Sequence, residues 1–242
     1  MTSREPVAIV GLGGVFPGAP TLEQFWDVVE QGRDATQLKP PAGRWVLDPT
    51  RAFAPGGPKP DRVYALRGGF IEGFVWDPTG LAIAPEDAER LDPMVHLALH
   101  AGRQAWSGAQ TQGLDRSRVG VVLGNIALPT TSTSAMASVM LGRRVERGIL
   151  GDALGTPPKP PWALNRWVCG LPAGVLARAL GLGGGHMTLD AACASSLYAL
   201  GLAVDALQAH RADAMLTGGL SRPDALYTQM GFCQLRALSA KG

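Results

Sequence analysis

Cys193 is the residue whose surroundings most favour covalent chemistry. It lies in the segment DAACASSLYAL, between a short apolar run and a long helical pattern. At the first turn of a helix, free backbone N–H groups and the positive end of the helix dipole favour a thiolate. Small alanine and serine neighbours leave the sulfur open to an approaching group. The residues alone leave two interpretations open, a nucleophile and a packed thiol, and they favour the first.

A nucleophilic thiol usually needs a base, and the candidates are four histidines: His96, His100, His186 and His210. His186 precedes Cys193 by seven residues on a predicted strand, up to about 23 Å away if extended. His210 follows it by seventeen residues on a predicted helix, about 25 Å away. Any base is therefore expected from elsewhere in the fold or from another chain.

The same residues do not predict a metal site. His96 and His100 have the i, i+4 spacing that can bind zinc on one helix face, but HLALH lacks the glutamate of H-E-x-x-H and a third ligand. The cysteines, Cys169, Cys193 and Cys233, are odd in number and lack C-x-x-C spacing, which disfavours a disulfide scaffold and a zinc ribbon. We predict packed or solvated histidines, no metal and no bound cofactor.

Two other motifs that often carry chemistry are incomplete or absent in this sequence. GLGGVF follows an apolar run, and Gly11 and Gly13 fit a dinucleotide fingerprint, but Phe16 and Pro17 replace the last glycine and the helix start. A tight turn is the better interpretation. The motif G-x-S-x-G does not occur in the sequence, which disfavours a serine hydrolase of that type.

Composition narrows the class of protein. The chain has 242 residues, of which 46% are hydrophobic and 17% charged, so it is predicted to be globular rather than disordered. The formal charge of +2, with scattered arginines, disfavours a nucleic-acid binder. Its apolar runs are too short or too interrupted to span a membrane. We expect a cytoplasmic protein with reduced cysteines.

The elements that must position Cys193 follow an α/β pattern. Apolar runs predict buried strands at Pro6–Gly13, Arg118–Asn125, 186–190 and 212–220. Helical patterns lie between them, so we predict a largely parallel sheet covered by helices. The segment 38–67 lacks a sustained period and is expected to be a long surface excursion, with or without short strands.

Several helix details are also predicted. Thr21 should cap a helix, and the Asp92-Pro93 pair should end one helix and begin the next. A helix is predicted over 163–182, and Pro172 is expected to kink it. The helix after Cys193 should bury one stripe of side chains, listed as Leu197, Leu200, Val204 and Leu207.

DAACASSLYAL resembles the active-site segment of β-ketoacyl synthases, the condensing enzymes of fatty-acid and polyketide synthesis. The resemblance covers essentially the whole chain. EPVAIVGLGGVFPGAPTLEQFWDVVEQGRDA resembles the start of polyketide-type ketosynthase domains, and further matches follow in family order at Arg44-Trp45, Gly68–Phe70, PEDAERLDP and GFCQLRALSAKG. The cysteine motif, together with LDPMVHLALHAGRQAW, is similar to iterative lipid-making synthases.

The resemblance implies a thiolase fold, two similar α/β halves in a five-layered structure, of which residues 1–242 are the N-terminal domain with the second half absent. It implies that Cys193 is acylated by a thioester on coenzyme A or on the phosphopantetheine of an acyl carrier protein. A malonyl unit is then decarboxylated, and its carbanion attacks the acyl-enzyme to give a 3-oxoacyl thioester. The Cys193 backbone N–H would be one oxyanion donor. A homodimer and a carrier-protein partner are also implied.

The sequence departs from the family in one respect that matters for chemistry. Family members carry two histidines and a lysine in the second half, and none of the four histidines here matches those positions. Two alternatives therefore stay open: a non-catalytic half-domain for dimerisation or carrier-protein docking, and a thiolase-like acyltransferase that does not decarboxylate. For the acyl pocket, the loop NIALPTTSTSAM at 125–136 is the predicted location, because loops at the carboxyl ends of strands line ligand crevices.

Overall fold

The structure is a computed structural model that describes residues 5–45, 48–142, 144, 147, 160–167, 170–222 and 226–239. The chain forms two compact units. The α-helices and strands of the described residues follow in chain order: α1 (Leu22–Glu30), α2 (Pro85–Arg90), α3 (Pro93–Ser107), β1 (Val119–Asn125), α4 (Thr131–Ala137), α5 (Pro172–Leu180), β2 (His186–Leu189), α6 (Ser195–Gln208), β3 (Ala214–Leu220) and α7 (Leu226–Gln234).

The first unit, which comprises Met1–Val15, Val75–Ala127 and Trp162–Ser221, holds a parallel sheet in the order β2-β1-β3. The register places Val121 beside His186 on one side and beside Leu216 on the other. β1 is buried along its whole length, as expected of a central strand covered on both faces. This unit has the predicted α/β architecture.

One face of the sheet packs on α3 and α5. Val119, Val121 and Leu123 lie in one hydrophobic cluster with residues of both helices, among them Leu99 and Leu176, which are 0% and 1% exposed. Burial of each such leucine contributes about 1.5–3 kcal/mol. α3 begins at Pro93, as predicted, and the Asp92 side chain caps it by accepting a hydrogen bond from the Met94 N–H at 3.0 Å.

The opposite face packs on α6, and here the predicted stripe is wrong. The buried side chains of α6 are Ser195, Ala199 and Ala203, whereas Leu197 is 70% and Leu200 42% exposed. The small residues recur every fourth position and so form one face of the helix. A face of small side chains lets α6 approach the strands closely, which leaves no room there for leucine.

The predicted strand at Pro6–Gly13 is also wrong among the described residues, because no strand hydrogen-bonds to it. Ile9 is 74% and Leu12 64% exposed. The segment and β3 line a common groove of about 750 Å³. β3 pairs with β1 along one edge, and its other edge carries no strand in the described part of the chain. The segment forms no ladder hydrogen bonds with this free edge, so it is not a strand.

Pro172 has a different role from the predicted kink. It occupies the first turn of α5, where its missing N–H costs nothing, and a separate 3₁₀ helix at Ala163–Trp167 precedes it. α5 then ends at Gly181, which has a left-handed φ of 66°.

The second unit comprises Phe16–Phe74, Leu128–Pro161 and Arg222–Gly242. Thr21 caps α1 by accepting from the Gln24 N–H at 3.3 Å, as predicted. The excursion over 38–67 has a short 3₁₀ helix at Pro49–Arg51 and isolated bridges in place of the predicted short strands. The hydrophobic core of the second unit contains Trp45, Val63, Tyr64, Phe70, Leu226 and Cys233.

Within the ranges that the structure describes, no helix combines the length and apolar character needed to cross a bilayer.

Candidate active site

Cys193 lies where the sequence predicted, between the end of β2 and the start of α6. It occupies a short 3₁₀ turn, Ala192–Ala194, that leads directly into the helix at Ser195. The thiol is free and the residue is exposed. An exposed sulfur at a helix entrance can be reached by a substrate, which a packed structural cysteine cannot.

The turn before the thiol has an unusual backbone. Ala192 has a φ of +50°, in the left-handed region. For a residue with a Cβ this conformation costs about 1–2 kcal/mol. Such strain persists only when surrounding contacts hold it in place, and it is frequent at functional sites.

Asp190 supplies one of these contacts. One of its carboxylate oxygens accepts a hydrogen bond from the Ala192 N–H at 2.8 Å, and the other accepts from the Ala127 N–H at 2.9 Å. The bond from Ala127, and then the bond from Ala192, holds the pKa of Asp190 below its ordinary value. Because two donors face it, the ionised carboxylate is the form that fits this position.

Ser195 supplies the second contact. Its hydroxyl oxygen accepts from the Ala191 N–H at 2.9 Å and donates to the Ala192 carbonyl at 2.7 Å. The residue is buried. The N–H of Ala191 and the carbonyl of the strained Ala192 are thus both tied to the first residue of α6.

Two glycines let α6 start close to the sheet. A Cβ on Gly124 would lie 2.4 Å from the carbonyl carbon of Ser195, and one on Gly219 would lie 2.7 Å from the Cβ of Ser196. Gly124 and Gly219 are register partners in β1 and β3. The start of α6 therefore sits directly on the carboxyl ends of two parallel strands, where ligands of α/β proteins usually bind.

The histidines lie away from this turn. His186 begins β2 and His210 follows the end of α6, so each lies at the end of its element that is remote from the Cys193 turn. His96 stacks on Trp76 and its ring contacts the Ala88 carbonyl at 2.7 Å. Burial, assisted by the Arg103 charge, lowers the pKa of His100. In the described residues, no hydrogen bond joins a histidine to the Cys193 thiol.

No group of three candidate metal ligands occurs in the described part of the chain. Cys169, one of the three cysteines considered above, lies outside the described residues. Of the proposed acyl-pocket loop, Ala127 contacts the site through Asp190, and the residues from Leu128 onward belong to the second unit.

Comparison with known proteins decides the family. The family model for the beta-ketoacyl synthase N-terminal domain matches residues 4–242. The chain belongs to the β-ketoacyl synthase family. This ketosynthase sequence is 33% identical over 251 residues to the spectinabilin polyketide synthase system protein NorC of Streptomyces orinoci, covering 98% of the chain and 10% of that protein. It is 30% identical over 240 residues to erythronolide synthase EryA2 of Saccharopolyspora erythraea, covering 98% of the chain and 6% of that protein.

Solved structures agree with this assignment. The PfaC keto synthase–chain length factor superposes with a TM-score of 0.85 at 33% identity, over 97% of the chain and 26% of that structure. The ketosynthase from module 6 of the bacillaene synthase of Bacillus subtilis 168 gives 0.72 at 25% identity, over 97% and 35%. The ketosynthase chain thus has the predicted thiolase-like fold and spans a minor part of each relative. The prediction that 1–242 is one incomplete domain stays a prediction.

Sequence reasoning found the cysteine of this ketosynthase but missed the residues that hold its turn. The sequence pattern did not single out Asp190, and it indicated Ser195 only as one of the small neighbours of Cys193. Their partners are Ala191, Ala192 and the distant Ala127. An aspartate at the end of a strand, three residues before a helical cysteine, is the local signal that could have suggested side-chain hydrogen bonds to this turn.

Proposed function

We propose that this chain forms the nucleophile-bearing part of a ketosynthase, a 3-oxoacyl-[acyl-carrier-protein] synthase, with Cys193 as the catalytic residue. The observation that carries the proposal is an exposed thiol, in a strained turn, at the entrance of α6. Membership of the β-ketoacyl synthase family supports it. The relatives are polyketide synthases, so a polyketide or fatty-acid pathway is the proposed setting.

In the first step, the Cys193 thiolate attacks the carbonyl carbon of an acyl thioester. The carbonyl oxygen takes the negative charge, and the backbone N–H of Cys193 is proposed as one donor to that oxyanion. Collapse of the tetrahedral intermediate breaks the old C–S bond and releases the carrier thiolate, which takes up a proton. The acyl group is then bound to Cys193.

In the second step, a malonyl thioester loses carbon dioxide and leaves a carbanion at its α-carbon. This carbanion attacks the acyl carbonyl on Cys193, forming the new C–C bond. Collapse expels the Cys193 thiolate and gives a 3-oxoacyl thioester two carbons longer. The thiolate that began the cycle is regenerated, so no oxidant, reductant or bound cofactor is required.

The groups that act on the malonyl unit are proposed to come from another part of the ketosynthase. In the described residues, none of the four histidines is hydrogen-bonded to the thiol. We propose that a second ketosynthase half supplies them, that substrates arrive on the phosphopantetheine of an acyl carrier protein, and that the enzyme works as a cytoplasmic homodimer.

The test uses the full ketosynthase polypeptide with one carrier protein bearing an acyl group and another bearing a malonyl group. We expect equal amounts of 3-oxoacyl product and carbon dioxide from the wild type, and no 3-oxoacyl product above background from Cys193→Ala. Cys233→Ala is the matched control, because Cys233 is fully buried in the second unit and its loss should leave turnover intact.

Two results would overturn the proposal. Condensation from an acetyl donor as fast as from a malonyl donor, without carbon dioxide, would identify a thiolase-like acyltransferase. A folded wild-type enzyme that forms no product from any thioester pair would identify a non-catalytic half-domain.

A further inference from the structure

The strongest unassigned feature is the set of hydrogen bonds around the Cys193 turn. Three peptide groups before the thiol each have a side-chain partner. The Ala191 N–H donates to Ser195, the Ala192 N–H donates to Asp190, and the Ala192 carbonyl accepts from Ser195. Asp190 precedes the thiol by three residues and Ser195 follows it by two, so the pair encloses the turn.

These contacts lie where the backbone most needs support. Ala192 has a φ of +50°, which an alanine adopts only at a cost. The peptide groups on both sides of its Cα take part in the bonds just described. A turn without these partners would relax towards an ordinary conformation, and the direction of the next side chain, Cys193, would change with it.

The hydrogen bonds from the turn to Asp190 and Ser195, together called the clamp, are anchored at both ends. Asp190 also binds the Ala127 N–H, at 2.9 Å, which ties the turn to the chain just after β1. Ser195 is 6% exposed and abuts Gly124, so its backbone cannot shift without displacing the strand. The thiol is therefore held relative to two fixed points of the sheet.

We infer that Asp190 and Ser195 are positioning residues that aim the Cys193 thiol at the acyl carbonyl. This inference rests on the proposed function. Neither side chain needs to touch the substrate, since both act through the backbone of the turn. Acylation requires one direction of attack, so its rate depends on the orientation of the thiol. A small alkylating agent can approach from many directions, so the alkylation rate depends on that orientation far less.

The key variant is Asp190→Asn, which keeps the size of the side chain but turns one acceptor into an N–H₂ donor. That donor must face either the Ala127 N–H or the Ala192 N–H, so one bond becomes a repulsion. Ser195→Ala removes the second contact. Ser196→Ala is the matched control for the serine, since Ser196 is the adjacent, exposed residue, and Asp27→Asn on α1 controls for loss of an exposed carboxylate.

The measurements are the acylation rate constant of the full ketosynthase at saturating acyl thioester, its KM, and the rate of iodoacetamide alkylation of Cys193. We expect Asp190→Asn to lower the acylation rate constant about tenfold or more, with KM nearly unchanged. We expect iodoacetamide alkylation to fall by less than about threefold, since it has no fixed line of approach. Ser195→Ala should show the same pattern, and both controls should match the wild type.

Two results would overturn the inference. One is a wild-type acylation rate constant in both Asp190→Asn and Ser195→Ala, even with a lower melting temperature. The other is an equal loss of acylation and alkylation, which would mean loss of the folded site rather than of aim. If Asp190→Asn does not fold, Ser195→Ala carries the test alone. A wild type that is alkylated but never acylated refutes the proposed function instead.

Discussion

A Cβ placed on Gly124 would lie 2.4 Å from the carbonyl carbon of Ser195, closer than real Cβ atoms come to any non-bonded neighbour. The strand and the first residue of α6 are therefore in backbone contact, with no side chain between them. Because Cys193 lies two residues before Ser195, this contact also fixes the height of the thiol above the sheet. A change at Gly124 should consequently affect both the stability of the protein and its chemistry.

We predict that Gly124→Ala lowers the free energy of unfolding by about 1–3 kcal/mol, as overpacking against backbone does. The acylation rate should fall as well, because α6 must move away from β1. Gly218→Ala is the matched control, since a Cβ at Gly218 in β3 meets nothing within 4 Å. Urea unfolding checks the prediction, and equal stability of the two variants would contradict it.

The strained turn gives a second prediction. Ala192→Gly relieves the left-handed strain but adds freedom to the unfolded chain, so stability should change by less than about 0.5–1 kcal/mol. Ala192→Val places a β-branched residue at a φ of +50° and should cost more than about 1 kcal/mol. Thermal unfolding of both variants tests this, and a valine variant as stable as the glycine variant would show that the turn is not strained.

The carboxylate of Asp190 gives a dependence on pH. Backbone hydrogen bonds from Ala127 and Ala192 hold its folded-state pKa below the unfolded value of about 4. Its stabilising contribution is therefore complete above about pH 4 and is lost as the pH falls through the lower, folded-state pKa. We predict that the difference in melting temperature between wild type and Asp190→Asn is largest near pH 7 and shrinks below pH 4. A difference that stays constant from about pH 7 to pH 3 would mean that the charge has no role.

The small-residue face of α6 gives a fourth prediction. Ala199 is 0% exposed, so Ala199→Leu should overpack the contact with the sheet and cost about 1–3 kcal/mol. Gly201→Ala lies in the same helix, but its Cβ meets nothing within 4 Å, so it should instead stabilise by up to about 1 kcal/mol through helix propensity. Chemical denaturation measures the change in the free energy of unfolding for each variant. Two changes of the same sign would contradict the prediction.

The comparison of sequence and structure shows which features are local. The position of Cys193 was predictable, because an apolar run, small residues and a helical pattern follow one another directly along the chain. The caps at Thr21 and Asp92 were predictable for the same reason, since each uses partners two or three residues away.

The errors concern neighbours that are distant in sequence. The predicted buried leucine stripe of α6 was wrong, because the glycines of β1 and β3 let these strands lie so close to α6 that only small side chains fit between them. The predicted strand at Pro6–Gly13 was wrong because a strand requires ladder hydrogen bonds with a partner strand, and the hydrophobic pattern does not reveal whether these bonds form. The clamp was missed because the bond from Ala127 to Asp190 spans 63 residues.

The most direct test of the account is the intact mass of the full ketosynthase after incubation with an acyl thioester, followed by peptide mapping. We predict one acyl group per wild-type chain, on the peptide that contains Cys193, and none on Cys193→Ala, while Cys233→Ala keeps the label. An acyl group that persists in Cys193→Ala, or a folded wild type that never gains one, would contradict the assignment of Cys193 as the nucleophile.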